Sequence, residues 1–291
     1  MKRFTSLEAR IDKAAHAILD RFPASGLWGA LVEFLVFGLK QAWACLFGGL
    51  MLGLIIGTRL LWPDDAVMAR YDFLFLAALG IQLAMLAFRL ETLSEVSVIC
   101  IFHVVGTAME IFKTQAGSWI YPEESLFRIG AVPLFSGFMY AAVGSYLARI
   151  TRIFDIRFTG YPPFWTTVVL AAAIYVNFFA HHFVADMRYA LFAVTVLLFL
   201  RTFVHYHVFR FRHRMPLLIG FLLVALFIWF AENIGTWSRA WLYPSQEESW
   251  TPVSIQKLGA WYLLMIISFV LVTIVHRPRP PDGDELKRPD P

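Results

Sequence analysis

The chain has 291 residues, of which 59% are hydrophobic and 16% charged, with a formal net charge of +4 and a mean hydropathy of +0.63. Soluble domains run nearer ~45–50% apolar and ~25% charged, and here the excess is gathered into runs of about twenty residues, the length that crosses a bilayer. These figures exclude a soluble globular enzyme, a disordered chain and a nucleic-acid module, and they predict a polytopic membrane protein.

Residues 1–25 read as a cytoplasmic amphipathic helix. Leu7, Ile11, Ala14, Ile18 and Phe22 recur at helical spacing, Thr5 or Ser6 supplies a cap, and Glu8 stands in the first turn. No continuous apolar core of the kind found in an export signal occurs there. Residues 26–42 are apolar but short and carry Glu33 and Lys40. They read as an interfacial or re-entrant helix, with a ninth span as the alternative. Eight spans follow, at 43–62, 71–89, 96–113, 131–149, 164–186, 187–208, 215–233 and 258–276. The predicted class is thus an all-α transmembrane bundle.

Smaller features fit that frame. Gly137, Ala141, Gly144 and Ser145 give the fourth span the small-residue spacing of close helix packing. The stretch 201–214, RTFVHYHVFRFRHR, reads as a basic and aromatic stripe facing anionic lipid. Cys45 and Cys100 both lie in apolar runs, which predicts no disulfide, and no zinc spacing is present. The tail 278–291 is rich in Pro, Asp, Lys and Arg and is expected to be disordered.

Charge sets the orientation. With both termini inside, eighteen of the 25 Lys and Arg residues fall on the cytoplasmic side, as the positive-inside rule requires. The predicted location is the bacterial inner membrane. The chain also repeats itself at an offset of 122 residues: EIFKTQAGSWIYP at 110–122 and ENIGTWSRAWLYP at 232–244. Glu110, Thr114, Trp119, Tyr121 and Pro122 match Glu232, Thr236, Trp241, Tyr243 and Pro244 without a gap. Four spans separate the copies, so they point the same way. The chain therefore divides into two parallel four-helix halves, 26–149 and 150–277.

Polar groups inside hydrocarbon are costly and mark sites. Counted from the cytoplasmic ends of their spans, Glu110, Asn177, His181 and Glu232 lie about 20–26 Å deep, within a helical turn of one another. Trp119, Tyr121, Trp241 and Tyr243 close over that layer, and His103 and Asn233 belong to the same spans. Three uses of the layer stay open. The carboxylates can cap and cross-link neighbouring helices; with His181 and His182 they can hold a divalent metal; or they can work without metal as an acid and base.

The segments HVVGTAMEIFKTQAGSWIYPE, VPLFSGFMYAAVGSYLAR, IYVNFFAHHFVADMR, MPLLIGFLLVALFIWFAENIGTW and KLGAWYLLMIISFVLV resemble the bacterial YoaT-like membrane family, known as domain of unknown function 817. That resemblance implies an integral-membrane protein and brings no established activity or catalytic residue. The acid followed by Trp, Tyr and Pro is also similar to membrane-integral carotenoid enzymes of the lycopene cyclase and hydratase type, in which carboxylates near helix ends protonate a polyene. Their Pro-x-Glu-Glu signature is absent, because Pro122 is followed directly by Glu123 and Glu124, and Pro244 by Ser245, Gln246, Glu247 and Glu248.

Three functional classes follow. The first is a membrane enzyme acting on a lipid or isoprenoid substrate, with Glu110 and Glu232 as acid and base, oriented by His181 and Asn177. Trp119, Tyr121, Trp241, Tyr243, His103 and Asn233 would border that substrate. The second is a metal-dependent hydrolase or oxidase whose divalent ion sits on His181, His182, Glu110 and Glu232. The third is a small-solute or ion transporter with an intramembrane polar site and His103 as proton carrier. Membrane lipids are the expected partners, nucleic acid is not, and the oligomeric state stays open.

Overall fold

Glu8 starts the fold in two ways at once. In the computed structural model, which describes residues 4–181 and 183–281, helix α1 spans Ser6–Leu19. Thr5 Oγ1 accepts from the Glu8 N–H at 3.4 Å, and Glu8 Oε2 accepts from the Thr5 N–H at 2.8 Å, the reciprocal bonds of a capping box. The same carboxylate accepts from Trp43 Nε1–H at 2.9 Å and is gripped by the Arg152 guanidinium. A local cap is thereby also a tertiary anchor.

Apolar helices α2 (Gly26–Ala44) and α3 (Leu46–Leu61) meet at Cys45 with a bend of 69°. Helices α4 (Arg70–Ala87) and α5 (Leu93–Gln115) follow, then a two-stranded hairpin of β1 (Arg128–Ile129) and β2 (Val132–Pro133). Helix α6 (Phe135–Ile153) packs against α2, α3, α4, α5 and later α10, so it is the hub of the bundle. After β3 (Arg157–Thr159) come α7 (Phe164–Ala180) and α8 (Arg188–Phe199). Strands β4 (Phe203–His207) and β5 (Arg212–Pro216) precede the last helices, α9 (Leu217–Trp237) and α10 (Ile255–Val275).

Among the described residues, α4, α5, α9 and α10 are each long and apolar enough to cross a membrane, and the bent α2–α3 pair makes a fifth crossing if it counts as one. The protein is therefore mostly helical and built for a membrane. The eight predicted spans resolve into those four helices, the bent pair, and three that stand apart. Helix α6 is less apolar and buries Arg149 and Arg152, α7 has 17 residues and α8 has 12. The segment 26–42 is one arm of the bent pair.

The predicted span 187–208 needs correction. Its helix stops at Phe199, and the chain continues as the middle strand of an antiparallel sheet ordered β3-β4-β5. Hydropathy alone extends the span, but FVHYH alternates, and alternation is the strand signal. Val204 pairs with Phe158 and Met215, and both Val204 and Phe158 are buried. The stretch 201–214 is thus a hairpin, with several of its basic side chains bound within the protein. Arg210 donates to the carbonyls of Leu19, Phe22 and Pro23, and Arg212 to Asp155. Glu33 accepts from the N–H groups of Phe209 and Arg210 in the hairpin turn.

Beneath that sheet lies a buried ion network. Arg152 bonds Glu8 and, at 2.9 Å, Glu95; Arg149, with 0% exposure, reaches Glu91 at 3.2 Å. Glu91 also takes Ser145 Oγ–H at 2.8 Å and Gln82. Desolvated charges persist only when paired this completely. Burial alone pushes the Glu8 carboxyl upward, but the Arg152 guanidinium, the Thr5 N–H and the Trp43 N–H outweigh it and hold the group below the usual glutamate value. A depressed carboxyl stabilises the fold above the ordinary glutamate range, and that contribution disappears as pH falls through the folded-state value. Arg152→Met, which strands Glu8 and Glu95, should cost about 3–5 kcal/mol. Thermal unfolding of the full chain in detergent should show this loss near neutral pH, and a smaller one in strong acid, where Glu8 is already protonated.

Candidate functional site

Glu95 and Glu110 are fifteen residues apart on α5, or about 22 Å at the helical rise. The ion network and the predicted polar layer therefore occupy opposite ends of the bundle. At the second end, Glu110 is 4% exposed and Glu232 3%. Each carboxylate must find donors inside the protein, because water does not reach it.

Aromatic side chains supply them. Glu110 Oε2 accepts from Trp119 Nε1–H at 2.8 Å and Tyr121 O–H at 2.7 Å, and Oε1 accepts from Tyr140 O–H on α6 at 2.7 Å. Glu232 accepts from Tyr243 O–H and from Trp261 Nε1–H on α10. The donors from the loops arrive by a shared backbone route. Helix α5 ends with Ser118 N–H bonded to the Lys113 carbonyl and Gly117 at φ +68°; α9 ends with Ala240 N–H bonded to the Gly235 carbonyl and Arg239 at φ +54°. A left-handed residue at this point turns the chain back over the helix end. Glycine takes that conformation without strain, whereas arginine takes it at some cost.

The two loops then join. Ile120 and Leu242 exchange both backbone hydrogen bonds, at 2.8 and 2.9 Å, as an antiparallel bridge. Helix α4 supports the join from the side: Arg70 donates to Glu123 at 2.7 Å and the Ser238 carbonyl at 2.8 Å, and Tyr71 O–H to the Ala240 carbonyl at 3.0 Å. Asp72 accepts from the N–H groups of Leu126 and Phe127. Burial, then the charge of the neighbouring glutamate, pushes the phenols of Tyr121 and Tyr243 well above the usual tyrosine range. Both phenols stay protonated and act as donors.

The roles of the tryptophans differ. Trp119 bonds Glu110, but Trp241 packs its six-membered ring against Gly235, where a Cβ would come within 2.2 Å of it. Tyr140 depends on a second glycine, since a Cβ at Gly106 would meet its ring at 2.6 Å. On the same α5–α6 contact Gly137 faces His103 and Gly144 faces Phe102, which accounts for the small-residue spacing.

Both carboxylates face one cavity of about 780 Å³. It extends past Leu147, Phe221, Val224 and Met265 to Phe158 and Val204 in the sheet, and its walls are almost wholly apolar. From Glu232 to Leu217, both on its wall, α9 covers about 22 Å. Volume and shape suit a lipid-sized chain with a few fixed polar groups at one end.

The histidines are elsewhere. His181, at the end of α7, lines a separate cavity of about 180 Å³ with Asn177, and is absent from the partners of both glutamates. Asn177 holds the α7–α8 turn through Asp186 and the Met187 N–H. His103 packs edge-on to Phe138 at 4.4 Å, and Asn233 Oδ1 accepts from the Val253 N–H while its Nδ2 donates to the Trp229 carbonyl one turn back in α9. His182 lies outside the described residues. Among the described residues, no three His, Cys, Asp or Glu side chains converge as a metal ion needs. Orientation of the glutamates thus falls to Trp119, Tyr121, Tyr140, Tyr243 and Trp261 rather than to His181 and Asn177. Sequence reasoning missed Tyr140 and Trp261, and no signal marks them: they stand 30 and 29 residues from Glu110 and Glu232, so the 122-residue offset does not relate them.

Residues 33–269 match a family described as "Protein of unknown function (DUF817)". The chain belongs to the DUF817 family. It is 43% identical over 243 residues to "Uncharacterized protein YoaT" of Bacillus subtilis (strain 168), covering 84% of this chain and 91% of that protein. The DUF817 match takes in both glutamates and all their donors and leaves out α1. No solved structure matches the chain.

Gly106→Ala should displace the Tyr140 ring, release one donor from Glu110 and cost about 1–3 kcal/mol through overpacking. Tyr140→Ala made in that background should add clearly less than it costs alone. Full additivity in a thermal-unfolding cycle would place the strain somewhere else.

Proposed function

We propose that this protein is a multi-pass enzyme of the bacterial inner membrane, with both termini cytoplasmic, that admits a lipid-like or isoprenoid chain to the large cavity and acts on it with Glu110 and Glu232 as acid and base. One observation carries this reading: two buried carboxylates, each hydrogen-bonded by aromatic O–H and N–H donors, face a single long apolar cavity. Donors that hydrogen-bond a carboxylate without neutralising it let it give or take a proton as the substrate demands. An isoprenoid double bond suits such a pair. One carboxyl group gives its proton to an alkene carbon, leaving a cationic centre on the next. The other carboxylate removes a proton from a carbon adjacent to that centre, and the electron pair re-forms a double bond one position along. Atoms and electrons balance without a co-reactant. Indole and phenol faces lower the energy of the intermediate cation.

The two halves, 26–149 and 150–277, are proposed to be copies. The supporting features are the equal turns at Gly117 and Arg239, the equal reach from Glu110 to Tyr121 and from Glu232 to Tyr243, and the pairing of equivalent residues Ile120 and Leu242. Residues related by a two-fold axis meet in that fashion, and an axis along the membrane normal keeps α5 and α9 parallel. With α6, α7 and α8 included, the crossings number eight.

The test is lipid chemistry in cells. Wild type, Glu110→Gln and Glu232→Gln should be expressed in a bacterium deleted for its own relative, and isoprenoid and lipid extracts compared by mass spectrometry. Wild type should shift the double-bond isomers of one species, and each variant should lose about 10²–10⁴-fold in that turnover. Identical profiles for wild type and Glu110→Gln would overturn the proposal.

A further inference from the structure

Against the carboxylate end of the large cavity lies the smaller one, of about 180 Å³, and Trp119, Phe178, Lys257 and Ala260 line both. Their chemistry is opposite. The small cavity is walled by Lys113 from the last turn of α5, Arg188 from the first residue of α8 and Lys257 from the first turn of α10, with Asn177 and His181 beside them. No carboxylate is among its described lining residues. Asp186, at its edge, takes Arg188 at 3.0 Å and Asn177 at 3.1 Å and also acts on Lys113, and Glu232 acts on Lys257 from the large-cavity side; the three cations line the hollow, and these carboxylates stand outside its wall.

Three cations brought together from three helices repel one another, and the repulsion grows as water is excluded. Lys113 is 3% exposed, with its ammonium 4.3 Å from the centre of the Phe178 ring; the ammonium of Lys257 lies 4.1 Å from that of Tyr243. Two well-packed lysines and an arginine around one hollow are the arrangement that an anion relieves. The first turn of α10 contributes in the same sense. Its N-cap, Ser254, makes no side-chain bond to the helix, and Ser254, Gln256 and Lys257 all line the hollow. A 21-residue helix therefore presents its positive end there.

We propose that this small cavity binds a phosphate-type oxyanion, the head group of an amphiphile whose chain occupies the large cavity. The proposal rests on reading that cavity as a chain site, and it narrows the substrate class to phosphorylated or diphosphorylated lipids. Trp119, the shared wall, donates to Glu110. An anion on one side of the indole therefore places the first carbons of its chain at the carboxylate end of the large cavity. The cations read the head, and the glutamates act on the bond beside it.

The experiment uses the purified full-length protein in dodecyl maltoside, titrated with farnesyl phosphate, farnesyl diphosphate, neutral farnesol and inorganic pyrophosphate. The phosphorylated chains should bind at least about tenfold more tightly than farnesol, since hydrogen bonds to charged groups are stronger than those to a neutral hydroxyl. Arg188→Gln and Lys257→Met should each remove most of that preference, and Arg188→Lys should keep it, which separates lost charge from lost folding. Competition by pyrophosphate alone would assign the site to a free oxyanion as well; binding that pyrophosphate leaves untouched would assign it to the lipid head. Equal binding of farnesol and farnesyl phosphate, unchanged in Arg188→Gln, would overturn the head-group site and leave the chain site standing. Head-group preference that survives, together with an unchanged cellular lipid profile in Glu110→Gln, would instead remove the acid–base reading alone.

Discussion

A carboxylate carried into an apolar interior must be met by donors, and this requirement organises both ends of the molecule. At one end the answer is ionic. Glu8, Glu91 and Glu95 are matched by Arg149 and Arg152, and the outcome is attachment of α1 and the start of α5 to α6. At the other end the answer is neutral. Indoles and phenols satisfy Glu110 and Glu232 without cancelling their charge. A guanidinium in contact fixes a carboxylate in its ionised form, whereas a phenol leaves it able to exchange a proton. The two ends therefore differ in chemical purpose although both bury glutamate.

Much of this was legible in the chain. The apolar runs of α4, α5, α9 and α10 announce themselves because hydropathy over twenty residues is a sum, insensitive to detail. The cap at Thr5 and Glu8 was visible from spacing, as were the two acids and the aromatic loops that cover them, because the same letters recur at the same offsets in both stretches. The end of α8 and the sheet were not visible. Val204 and Phe158 are apolar residues whose partners lie some fifty positions away, and a window sees composition rather than pairing.

The site was legible in outline and misread in its company. Depth along parallel spans placed His181 and Asn177 level with the acids, but depth says nothing of which way a helix face turns. His181 looks into the polar hollow, and its neighbours there are Lys113, Arg188 and Lys257. Those three stand far apart in the chain, and nothing in their spacing foretells that they meet. Tyr140 and Trp261 are also ordinary letters in apolar helices; only the α5–α6 and α9–α10 contacts make them donors.

The bridge between Ile120 and Leu242 has an effect that side chains do not share. Its bonds run between peptide groups, so nearly any pair of amino acids at those positions can form it, proline being the exception. The joining of the two loops consequently rests on main-chain geometry and responds little to side-chain substitution at Ile120 or Leu242. The two loops are therefore coupled through their main chains, whatever side chains they carry. A proline at either position would take away one of the two bonds and loosen one loop from the other.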